Sequence, residues 1–451
     1  MWPNGRAQAG NPACSAPPAL AVGAKNAIVF SGVYVIAPTL RPVAGRPFVG
    51  SRRRTAPRPA LAFAVVLAGA VPMASPAIGA DDTFTLSASQ AFQFDDNVYR
   101  VAPGVRPFGQ SPGDRISVTS LRAAFDRQYS RQRLRASADF ARIGFERFDS
   151  LNYDTQGGEL RWDWALGRLL SGRLSFDQTQ TARDLADVGG SRSSIVTSRS
   201  LQFGGDLWWH PDWSVGAAIE RYTATYSDAA SQASDYEALR PELRLTYRPR
   251  SGNQIALVGR FTDGTYPNRQ ANVLSDDGFE QTDVQLSGRW QLTGHSRLSG
   301  YAGFTRRQHP NLTNRDYAGP TGRLTYDWTP TGKLALSTTV RREIGARDDL
   351  FDNFVVTRAA SITPSWAVSG RVLVQATAEW RERDFRGDPG LLAGSASSDG
   401  DITRTYTVSL NYSPIDPLRL GVSLSRYRRT SDSASTEYTA NVGMLSAQYQ
   451  F

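Results

Sequence analysis

The 451-residue chain is poor in the residues that build most reactive centres: it has one cysteine, Cys14, and three histidines, His210, His295 and His309. A lone thiol within the first eighty residues excludes a disulfide framework or a cysteine-held metal in the rest. No apolar run reaches the ~20 residues that a membrane-spanning helix needs, and mean hydropathy is negative. A helical membrane protein is thereby excluded. A β-barrel is not, because its lipid face is diluted by every second residue. Acidic residues are missing from residues 1–80, where eight of the 51 basic side chains fall. The remainder carries 43 basic against 42 acidic groups, so the basic balance belongs to the leading segment. A nucleic-acid-binding surface is not supported.

The leading segment reads as an export signal. Arginines from Arg52 to Arg58 precede an apolar run from Ala60 to Val71, and small residues lead to Ala80 before Asp81 and Asp82. A positive flank, a short apolar run and small residues make a signal peptide over 51–80, cut after Ala80 or Ala77. Residues 1–50, rich in Pro, Gly and Ala, read as a disordered leader or as a misassigned start with the true one near Val43 or Val49.

What the rest has in quantity is alternation. From Thr83 onward about eighteen segments carry period-two patterning at the length of a tilted membrane strand, Thr83–Phe94, Gln132–Phe148, Tyr236–Tyr247, Glu280–Leu292 and Tyr438–Phe451 among them. Turns such as Pro211-Asp212 and Thr293–Ser296 alternate with longer polar stretches such as 95–113, 183–196, 263–279 and 386–401. This predicts an all-β fold over 81–451: a transmembrane antiparallel barrel of about 18 strands, with short periplasmic turns and longer extracellular loops. An even strand number puts both chain ends on the short-turn side. Trp162, Trp164, Trp208, Trp209, Trp213, Trp290, Trp328 and Trp366 lie beside short turns, which predicts a periplasmic aromatic girdle; Trp380 stands apart.

Each strand divides into two faces. Val284, Leu286, Gly288, Trp290 and Leu292 oppose Asp283, Gln285, Ser287, Arg289 and Gln291. An arginine at the bilayer midplane costs about 2–4 kcal/mol, so the charged faces must look inward. Arg133, Arg135, Asp139, Arg240, Glu242, Arg244, Asp283, Arg289, Arg323, Asp327 and Arg341 are the expected lumen-lining residues. Both signs are interspersed, which favours ion pairs bracing the wall over a one-sign field. The last strand places Leu445, Ala447, Tyr449 and Phe451 on a lipid face, the expected signal for the barrel-insertion machinery and outer-membrane lipid.

Catalysis finds little support. His210 and His295 border short turns, and nothing around His309 supplies the nucleophile and orienting group that a serine hydrolase requires. Paired carboxylates are abundant, but no dedicated cleft for glycoside cleavage is signalled. Asp95-Asp96-Asn97 could offer hard oxygen ligands to Ca²⁺; the preferred reading is a hairpin cap of turn-forming Asx residues. The expectation is a non-enzyme without cofactor or metal.

Three stretches carry a family resemblance: Phe94-Asp-Asp-Asn-Val-Tyr-Arg100, Tyr129-Ser-Arg-Gln-Arg-Leu134, and Asn314 to Pro330 with its Tyr-Asp-Trp-Thr-Pro end. The chain from about 81 to 451 resembles the EpsL-type outer-membrane proteins of exosortase-linked exopolysaccharide clusters, within the broader β-barrel porin group. The resemblance implies a role in exopolysaccharide biosynthesis and export, with a polysaccharide substrate and periplasmic export components as partners. A general or solute-specific porin and a non-conducting structural barrel in a surface-assembly complex are the competing readings.

Overall fold

A computed structural model of the chain describes residues 83–183, 185, 193–272, 276–346, 354–386, 400–431 and 436–451. The expected signal peptide and leading extension lie outside the described residues. Alternating sequence becomes eighteen strands: β1 (Phe84–Asp95), β2 (Asp114–Tyr129), β3 (Gln132–Phe145), β4 (Tyr153–Leu166), β5 (Leu170–Ala182), β6 (Ile195–His210), β7 (Trp213–Tyr226), β8 (Tyr236–Tyr247) and β9 (Gln254–Thr265). The second half supplies β10 (Gly278–Thr293), β11 (Ser296–Gln308), β12 (Tyr317–Trp328), β13 (Leu334–Ala346), β14 (Phe354–Ala367), β15 (Val372–Arg386), β16 (Gly400–Ile415), β17 (Leu418–Ser431) and β18 (Tyr438–Gln450).

Every strand pairs antiparallel with its sequence neighbours, and β1 pairs with β18 from Ser87↔Gln450 to Asp95↔Val442, closing the ring. Closure removes the unpaired sheet edges that a bilayer would not tolerate. Connections of two to six residues at one end face connections of six to eighteen at the other. We call these the short-turn and long-loop ends; both described chain ends lie at the first.

Side-chain direction follows the pleat. Val284, Leu286, Leu243, Phe304 and Leu424 are all more than half exposed on the outside, whereas Asp283, Gln285, Thr246 and Thr305 are buried within. The outer surface is therefore apolar and the inner one polar, the arrangement that lipid outside and water inside demand.

The wall is weakest between β12 and β13, whose ladder stops at Gly322↔Arg342 although both strands continue toward the long-loop end. Pro320, which has no N–H to give, lies in the unpaired stretch. Gly300 lies at the other flank of β12, at φ 146°, and a Cβ there would sit 1.9 Å from the Arg323 carbonyl oxygen, so no other residue fits.

One strand boundary needs correction here. The third strand ends at Phe145 rather than Phe148; a turn over Asp149–Leu151 follows, and Phe148 is buried at 5 % exposure. The long first loop also folds inward: Val98 and Tyr99 pack with Phe148 and Leu151 against the inward-facing Ile116, Val118 and Ile143. The long-loop end of the lumen therefore has an apolar inner layer that alternation alone did not reveal.

Candidate functional site

Cross-strand register decides which inward charges meet, because each inward residue lies beside one on either neighbouring strand. On β3 to β5 a single carboxylate, Asp163, accepts from Arg135 at 2.6 Å, Arg173 at 2.7 Å and Arg161 at 3.0 Å. Arg133 beside it holds Asp126 through two bonds of 2.7 and 2.8 Å. Asp139 lies 3.7 Å from Arg122. On β6 to β9, Arg244 reaches Asp206 at 3.0 Å and Glu242 at 2.9 Å, and Glu242 also takes Arg260 at 2.6 Å. The Asp206 carboxylate leans over Gly216, whose missing side chain leaves room for it. Arg240 meets Glu220 at 3.4 Å and covers the Tyr222 ring at 4.7 Å. Arg341 lies 3.8 Å from Glu343 and 3.5 Å from Glu379, and Glu343 also binds Arg323 and the Tyr301 hydroxyl.

Three of the expected lumen residues are not in ion pairs among the described residues. Asp283 accepts from the Thr305 hydroxyl at 2.5 Å and from Gln281 at 2.9 Å. Asp327 accepts from Ser337 at 2.8 Å. Arg289, exposed on the inner face toward the short-turn end, meets no hydrogen-bonding or charged partner among the described residues.

The opposite side of the ring differs. Below the row of Arg429, which pairs with Asp401 at 2.9 Å, and as far as Arg419, the inner faces of β16 and β17 carry Thr, Ser, Asn, Gly and Tyr, and those of β18 and of β1 below Asp95 carry no charge. Hydroxyls bond across strands here, Thr407 to Ser425 at 2.9 Å and Ser89 to Ser120 at 2.8 Å. In the ring order this neutral sector is about half a turn from the charged β7 to β10. Sequence reasoning listed charges and passed over this sector, although the Thr/Ser alternation of β16 was its signal.

Toward the long-loop end the inner face of β7 to β11 turns aromatic. Tyr236 lies 5.5 Å from Tyr266 and stacks on Phe279 at 5.9 Å, and Arg307 covers Phe279 at 3.9 Å. His309, just past β11, lies 6.0 Å from Phe279 and is buried. Burial, reinforced by the Arg307 charge and opposed by Asp276 and Asp316, holds its imidazole down at about 4. Its backbone N–H donates to Asp316, and Asp276 binds Asn311 and Leu312, so the residue belongs to a packed loop.

The Asx cluster is engaged locally. Asp95 binds Arg100 through both oxygens at 2.8 Å, Asp96 accepts from Asn441, and Asn97 donates to the carbonyls of Val101 and Thr439. These contacts cap the first loop and tie it to β18.

Outside, Trp162, Trp209, Trp213, Trp290, Trp328 and Trp366 are exposed near the short-turn end, and Trp164 stacks on Phe203 at 6.3 Å. Trp208 departs from the expected girdle. It shares the inner face with Asp206 and Ser214, and Arg248 lies over its ring at 4.1 Å. Trp208 and Trp209 are consecutive and must face opposite sides, and with Leu207 outward the alternation gives the outward place to Trp209. On β18, Leu445 and Tyr449 face outward with Ala447 between them; Phe451 packs on Tyr449 at 5.0 Å and donates its N–H to Leu86.

No protein-family model and no curated protein matches the chain. Solved outer-membrane barrels are similar to it in overall form. The outer membrane protein OpdK of Pseudomonas aeruginosa is 10 % identical over 82 % of this chain and 99 % of its own, with a TM-score of 0.44. P. aeruginosa OccK2 (OpdF) in complex with glucuronate is 12 % identical over 82 % and 98 %, with a TM-score of 0.46. The FrpB iron transporter of Neisseria meningitidis is 9 % identical over 83 % of each chain, with a TM-score of 0.48.

Proposed function

We propose that this protein is a non-enzymatic outer-membrane channel that passes exopolysaccharide, without a bound cofactor. One observation carries the channel reading: a closed barrel, apolar outside, with an inner wall of hydroxyls and amides on one side and ion-paired arginines on the other. Such a wall offers hydrogen bonds with little net field, which suits a cargo dense in hydroxyl groups better than one selected by charge. The turn asymmetry and the aromatic girdle support the outer membrane, with long loops outward. The polymer as cargo rests on the resemblance to EpsL-type proteins.

Gene deletion tests the cargo. Extracellular polysaccharide should fall while polymer collects in the periplasm. Unchanged polymer with impaired small-solute uptake would replace this reading with a porin. Planar-bilayer recording tests conduction itself: correctly folded protein that never conducts would leave only a structural barrel.

A further inference from the structure

Outward arginines near the long-loop end mostly meet a carboxylate on the next strand or in the adjoining loop. Arg115 lies 3.7 Å from Glu146, Arg142 3.8 Å from Asp154, Arg221 3.1 Å from Glu237 and Arg358 2.9 Å from Glu382. Among the described residues Arg306 on β11, opposite Thr282 and Ala318, meets no carboxylate, Arg342 faces Arg358 but bonds the Tyr317 hydroxyl, and one sector gathers three arginines without a partner. On β16 and β17, Arg404 sits directly opposite Arg428, and Arg426 sits opposite Tyr406 one outward step below. All three arginines are exposed, and none has a hydrogen-bonding or charged partner among the described residues. The outward carboxylate nearest in register on β15, Glu382, is already bound to Arg358.

Register places this patch in the bilayer. Successive outward rows across β15 to β18 read Val374, Leu410, Val422, Leu445; then Ala376, Val408, Leu424, Gly443; then Ala378, Tyr406, Arg426, Asn441; then Trp380, Arg404, Arg428, Thr439. The surface passes from wholly apolar to basic within two rows, flanked by the exposed rings of Trp380 and Tyr406. Arg426 is eight residues above Leu418 at the short-turn edge, roughly 20 Å along the membrane normal for a tilted strand, near the far edge of the hydrocarbon band.

Like charges directly opposite each other across two strands are destabilising, and guanidinium groups match phosphate oxygens in geometry as well as charge. We infer that Arg404, Arg426 and Arg428 bind the phosphate of an anionic lipid in the leaflet facing the long loops, with acyl chains along Leu424 and Val408. The three side chains stand over an apolar surface at the depth of a headgroup. A lipid, which brings both phosphate and chains, complements this surface; a free anion complements only part of it. This site is independent of what passes through the lumen.

The test uses the full-length barrel, purified and placed in nanodiscs. The probes are bisphosphorylated lipid A, its fully dephosphorylated form, and inorganic phosphate. The R404Q/R426Q/R428Q variant should retain lipid A at least about tenfold less than the parent protein. Dephosphorylated lipid should bind both equally, and millimolar phosphate should not displace the lipid. R404K/R426K/R428K, which keeps the charge, should retain most of the binding and guards against a folding artefact. Equal retention by the glutamine variant and the parent, an equal loss in R115Q/R142Q/R221Q, or full displacement by inorganic phosphate would each overturn the proposal.

Discussion

Arg323 donates to both carboxylate oxygens of Glu343, at 3.0 and 2.8 Å, across the strand pair whose ladder stops one rung away. Where backbone bonds end, a charged pair spans the gap. Glu343 also accepts from the Tyr301 hydroxyl and faces Arg341, which it shares with Glu379.

Glu343→Gln should therefore destabilise the barrel. Breaking a fully buried pair costs roughly 3–5 kcal/mol; here the lumen screens it, since the side chains keep 34 % and 20 % of their exposure. We expect a loss of about 1–2 kcal/mol in urea unfolding. An unchanged midpoint would show that the seam holds without the pair.

Among the expected lumen arginines, Arg289 is the one exposed on the inner face without a carboxylate or hydrogen-bonding partner. Arg289→Gln should reduce anion preference in bilayer recordings while changing stability by less than about 0.5 kcal/mol. Arg240→Gln, which leaves Glu220 only the Ser200 hydroxyl, should cost about 1 kcal/mol or more. Similar stability losses in the two variants would refute the distinction.

His309 gives the long-loop end a pH dependence. Its folded pKa, about 4, lies below the ordinary 6.5, so the folded state resists the proton. The stability this represents is fully present above pH 6.5 and is lost as pH falls from there through 4. Hydrogen exchange or protease cutting around 309–316 should rise over that window and stay flat in His309→Phe. A wild-type loop equally protected at pH 7 and pH 4 would rule this out.

Deleting Phe451 removes an exposed ring and one backbone bond to Leu86. If the residue serves assembly, cells should insert the truncated chain poorly, while refolding of purified protein into detergent should proceed almost as before. Equal loss in both settings would make Phe451 a structural closure element.

The strands were legible because period-two alternation is local and repeats many times. β4, β7 and β8 have the boundaries the sequence predicts, and most others shift by one to three residues. The side of the wall each strand residue takes was legible for the same reason. Partnership was not: that Asp163 would gather three arginines while Arg289 has none depends on stagger between strands. Trp208 was misplaced because proximity to a turn was read without asking which face its neighbour Trp209 would occupy.

The sequence by itself determined a two-faced, antiparallel wall of eighteen staves, because each side chain's solvent is set by its parity along the strand. Tertiary structure decided the rest: which charges cancel, where the first loop enters the lumen, and where Arg404 and Arg428 face each other unpaired. Those outcomes follow from register and closure, which bring together residues far apart in the chain, and no local pattern encodes such distances.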